Sequence, residues 1–158
     1  APRSRPLAPT WGTVQDRDVS DVPTDEEYQR LAAIRATIRR FVRFSELAAR
    51  DAGLTPAQHQ LLLAVRGWPG QGDPAIADVA EMLQLRPHSV LELARRTEDD
   101  GLVVRSTPEH DRRRHGLHLT AEGERVLAAL SVLHRDELDR IGGELVELLG
   151  GVARTPEV

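Results

Sequence analysis

A run of three arginines, Arg112 to Arg114, directly follows Asp111 in a stretch with few apolar neighbours. Adjacent guanidinium groups repel one another, and contact with a polyanion relieves that repulsion. The narrow minor groove of duplex DNA concentrates negative potential, so one arginine can enter it while its neighbours neutralise phosphates. Asp111 can orient one guanidinium through a bidentate ion pair. These residues therefore predict contact with a nucleic acid, and a solvated charge run is the alternative.

A second group of polar side chains shares one face of a predicted helix from Pro87 to Asp100. Short donors in its first turn can approach base edges in a major groove, and arginines can bind guanine or phosphate. A solvated helix face has a similar composition, so this pattern alone leaves both interpretations open. The positions predicted to point inward are Val90, Leu93, Ala94 and Thr97. The candidate DNA-contacting residues of helix and arginine run are Arg86, His88, Ser89, Glu92, Arg95, Arg96, Asp111, Arg112, Arg113 and Arg114.

Three carboxylates, Glu98 to Asp100, end this helix. They oppose the helix dipole there, and phosphate would repel them. We expect them to face away from DNA.

The six histidines raise the question of a metal site. His110, His115 and His118 lie close in sequence, but in a strand His115 and His118 project to opposite faces, and the chain has no cysteine. His59 and His134 lie on different predicted helices and can meet in the fold, although a hydrogen-bonded or exposed histidine is the commoner state. We predict no metal and no cofactor.

An enzyme needs a nucleophile beside a base, convergent carboxylates or a glycine loop that binds phosphate. Residues 67–72 are glycine-rich, but no strand precedes them and no Gly-Lys-Ser/Thr follows. No such set is found with supporting context. The sequence therefore predicts that the protein is not an enzyme.

Composition and charge set further bounds. The 158 residues suit one domain, and the longest apolar run is far shorter than a membrane span of about 20 residues. The formal charge is −4, but residues 86–118 carry seven arginines against six carboxylates, so the least acidic stretch is local. Every basic residue other than histidine is arginine, and no secretory signal is recognised. We expect a cytoplasmic protein that does not cross a membrane.

The elements that position these residues begin after an extended N-terminal arm, residues 1–23, which is rich in proline. Thr24 and Glu27 form a capping box that starts a long amphipathic helix, and Gly53 ends it. A second helix begins with the same signal at Thr55 and ends near residue 67. Residues 24–67 are thus predicted to be mainly helical.

Two short helices follow. The first covers Ile76 to Leu83, residues 84–86 form a tight connection, and Pro87 starts the second, which Gly101 closes in a left-handed conformation. Two short helices joined by a three-residue turn are typical of a helix-turn-helix.

A β-hairpin wing comes next. Residues 102–106 and 117–119 are the predicted strands, with the loop 107–116 between them. Thr120 then caps a long C-terminal helix, which Gly142 and Gly143 are predicted to break or bend before the glycines at 150 and 151 end it.

The run from Ile76 to Gly123 resembles the winged helix-turn-helix of MarR-type regulators, the multiple antibiotic resistance regulator family. The resemblance covers residues 24–150 in the order and length of the elements. Departures are Thr97, where the family usually has leucine, and Asp99-Asp100, which replace a basic or mixed pair. The residues that carry it are Gly101-Leu102-Val103, Arg105, Asp111-Arg112-Arg113, Leu119-Thr120 and Gly123.

The resemblance implies a mainly α-helical fold with a small β-hairpin wing and long N- and C-terminal dimerisation helices. In such a homodimer the first helix and the last two helices interlock with those of the partner, and two heads read a pseudo-palindromic operator. We expect one domain over residues 24–158, with dimerisation helices at 24–53 and 120–150 and a DNA-binding head at 55–119. Apolar residues at both ends, too many for one head to bury, agree with this: Ile34, Ile38, Phe41, Leu138, Ile141, Leu145 and Leu148.

Members of the family typically release DNA when a small molecule, often aromatic or anionic, binds between the dimerisation helices and the head. The resemblance thus implies a repressor that such an effector relieves, and the lack of cysteine excludes the peroxide-sensing branch. A winged-helix protein-interaction module that does not bind DNA is the alternative, and it would suit the acidic net charge. Aromatic residues at helical spacing are more often plain core, and the candidate pocket residues are Tyr28, Phe41, Arg43, Phe44, His59 and Trp68.

Overall fold

Residues 22–106 and 116–151 are described by a computed structural model. They form a mainly α-helical fold with a two-stranded antiparallel hairpin, which confirms the predicted fold class. Most of the predicted N-terminal arm and the tip of the wing lie outside the described residues. The elements are α1 (Asp25–Asp51), α2 (Pro56–Arg66), α3 (Ile76–Leu83), α4 (Pro87–Asp99), β1 (Val103–Ser106), β2 (Gly116–Leu119) and α5 (Ala121–Gly150).

Capping boxes start the first two helices, as predicted. At α1, the Thr24 amide donates to Glu27 Oε2 (2.7 Å) and the Glu27 amide donates to Thr24 Oγ1 (3.2 Å). Thr55 and Gln58 make the same reciprocal bonds at α2. Each box satisfies backbone donors that a helix start leaves without an intrahelical partner.

A compact head is built around one cluster of buried apolar side chains. The cluster joins α2, α3, α4 and β2, so the two short helices and the wing share a core. Burial of this set stabilises the head and holds α4 by one face. Its larger members are Leu61, Val65, Val79, Val90, Leu93 and Leu117.

Two left-handed residues set the geometry around α4. Gln84 has φ 54° and ends α3, and the Leu85 amide then donates to the Ala80 carbonyl (2.9 Å). Gly101 has φ 74°, as predicted, and the Leu102 amide donates to the Thr97 carbonyl (3.1 Å). These caps turn the chain sharply between α3 and α4 and again after α4.

A second apolar cluster fastens the head to α1 and α5. It includes Leu54, Leu62 and Leu127. A Cβ atom on Gly123 would lie 2.1 Å from the Leu102 carbonyl oxygen, so only glycine allows α5 to start this close to the wing. Thr120 accepts from the Gly123 amide (3.0 Å) and donates to the Gly101 carbonyl (2.7 Å).

The predicted break in the last helix at Gly142 and Gly143 is wrong, and a bend there stays a prediction. α5 runs through Gly142 and Gly143 as one helix, where the family resemblance implies two. Contacts on both sides of the glycines explain the continuity. Ile141 is buried on one side, and on the other side Arg40 Nη2 donates to both carboxylate oxygens of Glu144 (2.9 and 3.0 Å). Packing against α1 thus outweighs the low helix propensity of two glycines.

Over the ranges that the structure describes, no helix is both long enough and apolar enough to span a membrane.

Candidate nucleic-acid interface and adjoining cavity

The outer face of α4 carries every candidate DNA-contacting residue that lies within the described ranges. These side chains are exposed: Arg86, His88, Ser89, Glu92, Arg95 and Arg96. The opposite face is buried, as predicted, at Val90, Leu93, Ala94 and Thr97. The Thr97 hydroxyl donates to the Leu93 carbonyl (2.8 Å), which satisfies a buried polar group where the family usually has leucine. The helix is therefore fixed from one side and presents the other.

One ion pair lies on this outer face. Arg95 Nη1 is 2.8 Å from Glu92 Oε1, and both side chains are more than half exposed. An exposed pair of this kind contributes little to stability, so Arg95 can exchange its carboxylate partner for guanine or phosphate at small cost. Glu92 thus orients Arg95 and leaves it able to bind another anionic partner.

Two of the three carboxylates at the end of α4 form hydrogen bonds with other elements of the head. Glu98 accepts from the Arg105 amide (2.9 Å) and from Arg105 Nε (2.6 Å), so it joins α4 to β1. These bonds, led by the one from the backbone amide, lower the pKa of the Glu98 carboxyl. Asp100 accepts from Gln58 Nε2 (2.6 Å) on α2, and both Asp99 and Asp100 are exposed.

The hairpin stands next to α4 and is paired from Val103↔Leu119 to Ser106↔Gly116. Beyond that last pair, residues 107–115 lie outside the described residues. The predicted arginine tip, Asp111 to Arg114, falls in that stretch, and its contact with DNA stays a prediction.

A cavity of about 370 Å³ lies where α1, α2 and α5 meet. Its walls combine apolar side chains with imidazole, hydroxyl, amide and guanidinium groups. Such a mixture is typical of sites for small organic ligands. The lining residues are Phe41, Ser45, His59, Gln60, Leu63, Ser131, His134, Arg135 and Leu138.

Two imidazoles form the polar side of this cavity. The ring centroids of His59 and His134 are 4.7 Å apart, with the planes tilted by 34°. His59 is only 5% exposed, and its pKa is lowered by burial and, secondarily, by the neighbouring imidazole of His134. Both causes disfavour the charged form, so His59 is a neutral hydrogen-bonding group in the cavity wall at neutral pH.

His134 is held by two hydrogen bonds. Its Nδ1 lies 2.6 Å from the Leu130 carbonyl oxygen, which can only accept, so Nδ1 carries a proton. Its Nε2 lies 2.7 Å from the Ser45 hydroxyl oxygen, a group that can either donate or accept. A backbone carbonyl, and not a carboxylate, orients the ring, so the arrangement differs from a catalytic triad.

The structure brings only part of the predicted pocket to this cavity. Phe41 and His59 line it, and Phe44 makes an edge contact with the His134 ring (5.6 Å) but lines a neighbouring groove. Tyr28 is 54% exposed near the start of α1, and Arg43 is exposed. Trp68 lies beyond the end of α2 and lines a separate cavity with Asp73 and His118.

Sequence reasoning missed Ser45, His134 and Arg135 as pocket residues. Ser45 and His134 are 89 positions apart. No local pattern joins them, because helical spacing relates only residues a few positions apart. Within the described ranges, no group of three potential metal ligands converges, and His118 lies beside Asp73.

Comparison with known proteins is consistent with this architecture. A family model described as the MarR family matches residues 52–114. A regulatory protein named for the hcr operon of Thauera aromatica is 30% identical over 105 residues, which are 65% of this chain and 61% of that protein. The transcriptional regulator HosA of Escherichia coli O111:H- is 32% identical over 105 residues, 64% of this chain and 76% of HosA.

Solved structures share the fold. A crystal structure of a MarR family transcription regulator aligns with a TM-score of 0.68 at 23% identity, over 80% of this chain and 83% of that one. The Staphylococcus aureus MepR–DNA complex aligns with a TM-score of 0.60 at 20% identity, over 78% of this chain and 85% of that one. CouR of Rhodococcus jostii, bound to p-coumaroyl-CoA, aligns with a TM-score of 0.62 at 18% identity, over 85% of this chain and 99% of that one.

Proposed function

The chain belongs to the MarR family, and from that premise we propose that it is a sequence-specific transcriptional regulator that binds duplex DNA. One observation carries the proposal. The α4 helix is fixed by four buried residues on one side and presents six polar or charged side chains on the other, beside a hairpin. A helix offered in this way can enter a major groove while the wing reaches the adjacent minor groove.

The regulator acts as a homodimer in this proposal. Both long helices expose apolar side chains on the single chain, among them Ile38 (49% exposed) on α1 and Val146 (71%) on α5. Apolar surface of this extent on two adjacent helices needs a partner, and a second copy offers the same surface. Two heads would then read a pseudo-palindromic operator whose half-sites lie roughly 34–36 Å apart.

The DNA-binding proposal is tested by a gel shift against the DNA upstream of the chain's own coding sequence, across a salt series. Arg96→Ala and Arg113→Ala should each weaken operator binding, because each removes a cation from the proposed interface. Arg113→Ala should also reduce the salt slope by about one. Arg125→Ala is the control, since this exposed arginine pairs with Glu122 on α5 and lies outside the interface.

The same series separates the rival function. A protein-interaction module would retain no duplex, of operator or random sequence, even at low salt, where non-specific binding by a regulator is readily detected. An unchanged salt slope for Arg113→Ala would remove the wing tip from the proposed interface. A loss of operator affinity in Arg125→Ala equal to that in Arg96→Ala and Arg113→Ala would point to a general effect of net charge.

We further propose repression that a small organic effector relieves. The cavity between α1, α2 and α5 supports this, because it links a helix of the head to both long helices. Phe41, Leu63 and Leu138 offer apolar walls, and the neutral imidazole of His59 offers a hydrogen bond. Arg135 supplies the one positive charge among the lining residues. These groups favour an effector with an apolar body and an anionic group.

A ligand screen by thermal shift tests the effector proposal. Aromatic carboxylates should raise the melting temperature and reduce operator binding, and both effects should be weaker in Arg135→Ala. The matched control is Arg140→Ala, an exposed α5 arginine that is paired with Glu137. If the two variants respond alike, the charge of Arg135 has no part in recognition. We propose no catalytic role for the chain, and duplex binding of this kind would take place in the cytoplasm.

A further inference from the structure

One carboxylate, Asp73, joins both strands of the wing to the loop between α2 and α3. Its Oδ2 atom accepts from the Ser106 hydroxyl (3.0 Å) and lies 3.2 Å from His118 Nδ1. Ser106 is the last residue of β1, and His118 belongs to β2. A single oxygen atom therefore contacts both strands of the hairpin. The paired strands, as distinct from residues 107–115 between them, are called the base of the wing below.

The backbone makes the same connection. The Leu117 amide donates to the Pro74 carbonyl (3.0 Å), and Ala75 forms an isolated antiparallel bridge with Gly116. Gly116 is buried, and a Cβ atom there would lie 2.7 Å from the Asp73 Cβ and 2.9 Å from the Ser106 hydroxyl. The close approach of the loop to the wing thus requires glycine at this position.

The wing is held from its other side as well. Glu98 at the end of α4 binds the amide and the side chain of Arg105 in β1. The hairpin base is therefore fixed to α4 through Glu98 and to the loop before α3 through Asp73. Two attachments on different elements restrict the angle between the wing and the reading helix more than one attachment can.

We propose that Asp73 is a positioning residue for DNA binding, which holds the base of the wing so that wing and α4 engage one duplex together. This inference rests on the proposed function. Holding the wing in its bound orientation lowers the entropy that is lost on binding, so it contributes to affinity without touching DNA. The Asp73 and His118 side chains are more than 40% exposed, so their contact contributes little to folding stability.

The direction of the change in DNA affinity distinguishes a positioning role of Asp73 from an effect of its charge alone. A carboxylate in the head repels phosphate, so removing one should tighten DNA binding if charge alone matters. Loss of a positioning contact should weaken binding. Asp73→Ala and Asp99→Ala remove the same charge from the head, and Asp99 is exposed at the end of α4. Asp99→Ala is therefore the matched control.

The experiment measures operator affinity and melting temperature for the wild type, Asp73→Ala, Asp99→Ala and Ser106→Ala. Asp73→Ala should lose about tenfold in affinity, which corresponds to 1.4 kcal/mol, with a nearly unchanged melting temperature. Ser106→Ala, which removes one donor and no charge, should lose less. Asp99→Ala should bind as tightly as the wild type or more tightly. Hydrogen exchange of the Leu117 amide should be faster in Asp73→Ala, because its bond to Pro74 depends on the same loop.

Two outcomes overturn the inference. One is affinity in Asp73→Ala equal to that of Asp99→Ala, and the other is unchanged exchange at Leu117. Should Asp73→Ala fail to fold, unimpaired affinity in Ser106→Ala overturns it as well. Failure of the wild type itself to bind any duplex contradicts the proposed function, which is a separate result.

Discussion

At the scale of the residue, the imidazole side chains of the cavity wall have more contacts that orient them than the polar side chains of the proposed DNA interface. Residues on the outer face of α4 are free to rearrange, and the one pair there, Arg95 with Glu92, is exposed. His59 is buried against the ring of His134, which Ser45 and a backbone carbonyl hold in one orientation. Such preorganisation suits a ligand site, whereas a DNA-reading surface benefits from adaptable side chains.

Stability should depend on pH through His59. Its pKa is lowered in the folded chain from the ordinary value of 6.5, so the unfolded chain binds a proton more readily. The contribution of His59 to the free energy of unfolding is then fully present above about pH 6.5. It is lost as the pH drops from there towards the folded pKa, by at most about 1.4 kcal/mol per pH unit. Urea denaturation between pH 7.5 and 5.5 should show a steeper decline for the wild type than for His59→Gln. Parallel curves would exclude His59 as the cause.

At the scale of the element, α5 shows that contact between helices can override local propensity. Two adjacent glycines in a helix each cost about 1 kcal/mol relative to alanine. The helix continues because Ile141 is buried on one side of the pair and Glu144 is bound by Arg40 on the other. Thr37, 1% exposed, donates to the same carboxylate (3.2 Å), so α1 holds this segment of α5 at several points.

Replacing a glycine should therefore have opposite effects at two positions. A Cβ atom on Gly143 meets no atom within 4 Å, so Gly143→Ala should raise the free energy of unfolding by about 0.5–1 kcal/mol. Gly101 has φ 74°, so Gly101→Ala should lower it by about 1 kcal/mol or more. Urea denaturation at one protein concentration measures both. Destabilisation by Gly143→Ala would mean that the helix is interrupted there, or closely packed on a partner, in solution.

At the scale of the whole molecule, the single chain leaves its two longest helices half covered. α1 and α5 pack on each other, and Ile34 on α1 and Ile141 on α5 are buried. Their outer sides keep Leu31, Val42 and Leu149 at 40–49% exposure. The head, in contrast, has its own closed core. The part of the molecule that lacks a partner is thus the pair of long helices.

A charge placed on that uncovered side should prevent dimerisation. Val146 is 71% exposed in the single chain, so Val146→Glu should leave the protomer folded while it introduces a desolvated charge into the proposed interface. Light scattering after size-exclusion chromatography should show the wild type at twice the protomer mass and Val146→Glu at the protomer mass. Met82→Glu, at an exposed position on α3, is the control and should remain dimeric. A wild-type chain at the protomer mass would refute the dimer.

The sequence alone determined the features that depend on neighbours within about four positions along the chain. Capping boxes at Thr24 and Thr55, the left-handed Gly101 and the two faces of α4 were all predicted, because caps and helical periodicity are local. The family resemblance rested on a similarly local run around the wing. The six α4 residues, from Arg86 to Arg96, followed from the same periodicity.

Tertiary structure decided the contacts between residues far apart in the chain. The angle at which α1, α2 and α5 cross brings Ser45 to His134 and leaves Tyr28, Arg43 and Trp68 away from the cavity. The same packing carries α5 through its glycines. Asp73 reaches Ser106 and His118 only because the loop after α2 folds back on the wing. Residue spacing records which face of a helix is apolar, whereas the position of each face against another element depends on burial across the whole core.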